Sequence, residues 1–269
     1  MRILTACLAL IGTLASPVMA HEFWLEPSDY TVEPDGRLQA ELVNGQFFEG
    51  TMFAYLPQRF VRFDAYADGD SAPVEGRIGN RPALDIDPLA EGLNVVVYES
   101  TVSVVRYDDF EAFLRFAEHK AFDDVEARHR EAGYPTDAFG EAYTRYIKTL
   151  IGVGDAEGAD LRTGLETEIV ALDNPYTDDL AEGMRVQVFY GDAVRPGAQV
   201  ELFAKAPDGS VEITRHVADA EGVATLPVTP GYSYLADSVV LREPSADLAA
   251  ERRVVWETLW AALTFAVPA

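Results

Sequence analysis

From Glu26 to about Ser103 the polar and apolar positions follow a period close to two. "RFVRFDAYA" (59–67) alternates cleanly, "RLQAELVNGQFF" (37–48) alternates in places, and "LNVVVYES" (93–100) is an apolar run of the buried-strand type. Clusters of Gly, Pro and Asp at "EPDG" (33–36), "ADGDSAP" (67–73) and "IGNRP" (78–82) separate the runs as turns should. The pattern therefore predicts strands.

Residues 108–151 change character. "DDFEAFLRFAEHKAFDDVEARHREAG" has no internal Gly or Pro and predicts a helix ending near Gly133. Its main core face holds Phe110, Phe113, Leu114, Ala117, Ala121 and Val125. "TDAFGEAYTRYIKTLIGVG" opens on a plausible cap at Thr136 or Asp137. Its stripe of Phe139, Tyr143, Tyr146, Ile147 and Leu150 predicts a second helix. After the polar connector "GDAEGAD" the strand pattern returns from Met184, with turn signals at short intervals as in a small Greek-key sandwich. "VVWETLWAALTFAVP" closes the chain as a long apolar strand or strand pair.

The fold class expected is mainly β with a helical insertion. A β-sandwich domain, residues 21–160, carries two helices at about 108–151, and a smaller Ig-like Greek-key sandwich follows at 161–269.

The first 20 residues read as a secretory signal. Met1-Arg2 is a short positive start, Ile3–Ala15 is apolar, and Val18-Met19-Ala20 suits a signal peptidase. The apolar run is too short for a span of roughly 20 residues. Cleavage after Ala20 would make His21 the first residue of an exported, periplasmic chain. It would also remove Cys7, the one cysteine, and with it any disulfide or thiolate chemistry.

Charge narrows the partners. Lys and Arg number 21 against 45 Asp and Glu, so the formal net charge is −24, or −25 once Arg2 is lost. Such a surface repels nucleic acid and anionic headgroups and attracts cations. No GxSxG, phosphate loop, HExxH or dinucleotide fingerprint is present.

The candidate chemistry lies in the four histidines. A terminal His21 offers its α-amine and Nδ1 to close a six-membered chelate. The amine pKa, about 7.7–8.0 in peptides, lets a metal displace its proton near neutrality. One further imidazole would complete a histidine brace, a three-nitrogen set suited to Cu(II) or Ni(II). His119 and His129 are the candidates. Ten residues apart on one helix, they would stand roughly 15 Å apart, so at most one of them can join His21.

His119, flanked by Phe116 and Phe122, reads as semi-buried, with Asp123 placed to orient its ring. His129, between Arg128 and Arg130 and one turn after Glu126, reads as a surface ion-pairing residue. His216 reads as an exposed strand residue.

The segments "AHEFWLEP", "FAEHK", "YTRYIKTLIGVGD", "PGAQVELF…DGS…DAEGVATLPV" and "WETLWAALTF" together resemble one bacterial family of exported domains of unknown function, described as NikM-like or nickel-uptake-associated periplasmic proteins. The resemblance runs through the whole mature chain. It implies periplasmic residence, a β architecture with a helical insertion, and a link to nickel or cobalt handling. By position His21 matches the family's terminal histidine, and some relatives carry the "EHK" and "HR" elements that hold His119 and His129.

The leading expectation is a periplasmic protein that captures Ni, Co or Cu through His21 and serves a membrane metal-uptake system. A copper-dependent oxidative enzyme with a histidine brace and a metal-free envelope interaction module are the alternatives. Neither nucleic acid nor a membrane span enters any of these readings.

Overall fold

Two apolar stretches distant in sequence, 139–153 and 256–266, lie side by side as parallel strands, from Glu141 opposite Trp256 to Thr149 opposite Thr264. Both are buried almost throughout, so neither shows the alternation of a half-exposed strand. Around this pair a computed structural model describes residues 21–269 as a β-sandwich with a helical insertion.

In chain order the first strands are β1 (Glu22–Pro27), β2 (Thr31–Val32), β3 (Leu38–Gln46), β4 (Glu49–Phe53), β5 (Phe60–Ala67) and β6 (Asp70–Pro73). Next come β7 (Leu84–Ile86), β8 (Gly92–Ser100), β9 (Ser103–Tyr107), α1 (Phe110–His119), α2 (Val125–Glu131) and the long β10 (Phe139–Val153). β11 (Thr167–Ala171), β12 (Met184–Tyr190), β13 (Ala193–Val194), β14 (Gln199–Lys205) and β15 (Val211–Val217) follow. β16 (Val223–Leu226), β17 (Ser233–Arg242), α3 (Ala246–Arg252) and β18 (Trp256–Ala266) complete the fold.

The central sheet has ten strands, in the order β15-β14-β17-β18-β10-β8-β5-β6, with β2 and β9 also paired to β10. It crosses residue 160 without a break, because β10 from the first half hydrogen-bonds β18 from the last. One face is covered by a small sheet of β11, β12, β13 and β16. Leu150, Val186, Val200, Leu263 and Phe265 form the core there. The opposite face is covered in two places. The sheet of β1, β3, β4 and β7 packs over one part, burying Trp24, Leu25 and Ile147. Helices α1 and α2 pack over the other, burying Phe113, Phe116, Trp256 and Trp260.

The helix expected over 108–133 forms in two pieces. Asp109 caps α1 by accepting from Glu111 N. The chain then turns through Ala121 and Asp124, both at positive φ, before α2 begins. Asp is among the few side chains that tolerate this region. Phe116 joins the buried face of α1, and Ala121 lies outside it.

The second expected helix is β10. Its helical-looking stripe arises because both faces of the strand are buried, so Tyr146, Ile147 and Leu150 pack on two different sides. The β-branched and aromatic residues of "YTRYIKTLIGV" were the contrary signal. No helix among the described residues is long and apolar enough to cross a membrane.

Lys148, buried on β10, is paired. Lys148 Nζ lies 3.0 Å from Asp160 and 2.8 Å from Glu168, and it donates to the Leu161 carbonyl at 2.9 Å. Replacing Lys148 by Ala leaves buried Asp160 without a cation and Glu168 with Arg162 alone, and is expected to cost about 3–5 kcal/mol. Replacing the exposed Arg185, paired with Asp173, is expected to cost less than about 1 kcal/mol. Chemical denaturation of the two variants checks this ranking.

Candidate functional site

Alternation along β10 sends Glu141, Tyr143 and Arg145 to the same face of the central sheet, and Thr258 and Trp260 stand beside them on β18. Neither covering layer closes over this spot. A cavity of about 280 Å³ remains, walled by β1, β3, β4, β8, β9, β10 and β18. His21 and Phe23 contribute from the first strand. Phe23 packs edge-on against Phe53 at 5.9 Å between ring centroids, and against Tyr98 at 5.8 Å.

Glu141 lines the cavity at 2% exposure. The Tyr107 hydroxyl donates to its Oε2 at 2.9 Å, and the Thr258 hydroxyl donates to Oε1. Trp260 Nε1 in turn donates to Thr258 Oγ1 at 2.9 Å. Burial pushes the Glu141 carboxyl up to about 7, against the pull of its two hydroxyl donors and Arg145.

Arg145, only 9% exposed, uses Nη2 to donate to the His21 carbonyl at 2.7 Å. Its guanidinium lies 4.0 Å from the Trp260 ring centroid and 5.1 Å from that of Tyr143. Its Nη1 is buried with no hydrogen-bond partner. Burial pulls Arg145 below the usual arginine range, opposed by the nearby acids.

Next to this site lies a charge cluster. Lys120 Nζ, just past the end of α1, meets Glu22 at 3.4 Å, Asp237 at 2.8 Å and Glu201. It also lies 4.9 Å from the Trp260 ring centroid. The three acids converge closely enough to suit a metal ion, but the Lys120 ammonium already supplies the positive charge there. Burial opposes the lysine's charge, and the three carboxylates outweigh it and raise its pKa. Burial raises Glu22 and Asp237. Glu201, also pushed up by burial, is held at about 2 by its bonds from His119 and Lys120.

The structure separates the expected ligands. His21 is exposed and lines the cavity, whereas neither His119 nor His129 does. His119 Nε2 lies 2.9 Å from Glu201 Oε1, and its Nδ1 lies 2.7 Å from Arg215 Nη2. A guanidinium only donates, so Nδ1 accepts and Nε2–H points at the carboxylate. The carboxylate that orients His119 is thus Glu201, and Asp123 is exposed.

His129 is not on the surface. Its exposure is 0%, and its ring centroid lies 4.4 Å from that of Phe110 and 4.9 Å from that of Phe139. Trp256 Nε1 donates to its Nδ1 at 3.0 Å, and its Nε2 meets the Pro135 carbonyl at 2.9 Å. An indole N–H only donates, so the ring is the neutral tautomer with both nitrogens used. The flanking arginines do the surface work, Arg130 with Glu126 at 2.8 Å. His216, half-buried on β15, meets Thr214 Oγ1 at 2.8 Å.

Glu141 and Arg145 were passed over in the sequence because their segment was taken for a helix, and Trp260, on the closing strand that was expected, was not singled out. On a strand, the spacing Glu141-Tyr143-Arg145 would have placed them together.

The model of a family described as a domain of unknown function (DUF4198) matches residues 18–239. No curated protein matches the chain. Among solved structures, one similar chain is a tetra-tandem repeat from the extending region of a large adhesion protein. The two are 14% identical with a TM-score of 0.20, over 91% of this chain and 49% of that one. Another is the D0-D1 domain of intimin, 13% identical with a TM-score of 0.21, over 90% of this chain and 97% of that one.

The Glu141 carboxyl makes a testable demand on stability. Its folded pKa of about 7 exceeds the ordinary 4.5, so the fold favours the protonated acid. That contribution is fully present below pH about 4.5 and is lost as pH rises through about 7, a change on the order of 3 kcal/mol. Glu141→Gln should remove this part of the pH dependence. The difference in denaturation midpoint between variant and parent, followed from pH 5 to 8, checks it.

Proposed function

The chain belongs to the DUF4198 family of domains of unknown function, and we propose that it is a periplasmic metal-binding protein capturing Ni, Co or Cu through His21. Removal of residues 1–20 would free the α-amine of His21, and that amine and Nδ1 would form the chelate. The observation that carries the reading is the setting of this residue. Arg145 grips its backbone carbonyl at 2.7 Å and leaves its imidazole exposed where it lines the cavity. The backbone carbonyl is held, and the ring that would coordinate is left open.

The donor set fits a two-nitrogen chelate whose remaining positions are taken by oxygen ligands or water. A metal bound there supplies a Lewis-acidic centre at the mouth of the cavity. A histidine brace would need a second imidazole beside His21. His119 and His129 have both ring nitrogens engaged elsewhere, which favours metal capture over oxidative copper chemistry. The nickel-uptake association of the NikM-like proteins that the sequence resembles points the same way, toward an accessory role in metal uptake or handling.

The test uses protein exported so that residues 1–20 are removed, with the start at His21 confirmed by intact mass. Calorimetric titration with Cu(II), Ni(II) and Co(II) is expected to give one-to-one binding. A form extended by five N-terminal alanines has no amine on His21 and no terminal amine within chelating reach of its ring, and should bind at least about a hundredfold more weakly. His119→Gln should leave the affinity unchanged. Equal binding by the processed and extended forms would overturn the proposal and leave a metal-free envelope module.

A further inference from the structure

Arg145 is built into the cavity wall in a way that the grip on His21 does not explain. A guanidinium has five N–H donors, and Nη1 here is buried with no partner. A buried donor left unmade costs about 1–3 kcal/mol, more when charged, and native interiors mostly avoid it. Among the described residues no carboxylate forms an ion pair with Arg145. Glu141, nearest along the strand face, has its oxygens engaged by Tyr107 and Thr258. The guanidinium is nevertheless firmly placed, held by the His21 carbonyl and packed against Trp260 and Tyr143.

The charge of the cavity departs from that of the molecule. The whole chain carries a formal −24, yet the cavity is lined by two arginines, Arg59 and Arg145, against one carboxyl. Such a lining favours small anions. Six aromatic rings, Phe23, Phe53, Tyr98, Tyr107, Tyr143 and Trp260, also line the cavity, and its volume of about 280 Å³ sits just under the range of roughly 300–1,000 Å³ usual for small-molecule pockets.

We propose that this cavity binds a small organic carboxylate, its carboxylate group taken by Arg145 and its apolar body lying against Trp260, Tyr143 and Tyr98. The planar guanidinium matches a planar carboxylate and supplies charge-assisted bonds in a water-poor setting. The aromatic walls bury the rest of the ligand. This binding does not require a metal at His21.

The probes are phenylacetate, 3-phenylpropanoate and hexanoate, each beside its own amide, titrated by calorimetry into processed protein with EDTA present. At least one acid is expected to bind one-to-one and at least about tenfold more tightly than its amide. Arg145→Gln should bring acid and amide to equal affinity. Ser103→Trp, which adds an indole to the cavity lining and removes none of the groups that bond Arg145, should abolish both. That second variant keeps the test decisive if Arg145→Gln does not fold.

The extended form should bind the acids as the processed form does, so failure of the metal site leaves this result intact. The proposal is overturned if no acid binds, if acids and amides bind equally, or if acid binding survives Ser103→Trp.

Discussion

Lys120 Nζ stands among carboxylates from three separate strands: Glu22 of β1, Glu201 of β14 and Asp237 of β17. The ammonium comes from the end of α1, so one cation joins the first strand and the helical insertion to the central sheet. All four groups are nearly sealed from water. Bringing ions inside costs several kcal/mol each, and only their mutual attraction and bonding offset it. Take away the cation and three buried negative charges face one another. The position of His21 depends on this arrangement, since Glu22 is its direct neighbour. With Glu22 held toward Lys120, strand alternation turns His21 and Phe23 the other way, into the cavity wall.

The cavity is a consequence of how that sheet face is covered. The β1-β3-β4-β7 sheet and the α1-α2 pair have separate cores, one around Trp24 and Leu25, the other around Phe113 and Trp256. At their junction the central sheet presents Glu141, Tyr143, Arg145 and Trp260, residues too polar to leave bare and too confined to be fully solvated. Arg145 links the two sides: its guanidinium lies on Trp260 of β18 and reaches the backbone of His21. The cavity lining and the backbone of His21 therefore meet at a single side chain.

Much of the architecture could be read from the chain. The strands over 38–46, 60–67 and 92–100 followed from alternation and turn residues, and α1 from its apolar face and a run free of Gly and Pro. The long closing strand followed from its unbroken apolar run. What failed was β10, because period-based reasoning needs one wet face and this strand has none. Its buried Lys148, Arg145 and Glu141 look like the polar side of a helix until their partners are known. Those partners are remote in sequence: Asp160 and Glu168 for Lys148, Thr258 for Glu141, the His21 carbonyl for Arg145.

His129 was misplaced for a similar reason. Its charged neighbours suggested a surface, but the ring packs under Phe110 and bonds Trp256, 127 residues away.

The central claim is that one histidine, the first of the processed chain, supplies the only imidazole to the metal. Pulsed electron paramagnetic resonance of the Cu(II)-loaded, processed protein tests it directly, because the remote ring nitrogen of each coordinated imidazole modulates the echo. The account predicts the pattern of a single imidazole with a second, directly bound amine nitrogen. Combination lines from two equivalent imidazoles would contradict it, and would mean that His119 or His129 gives up its present bonds to reach the ion.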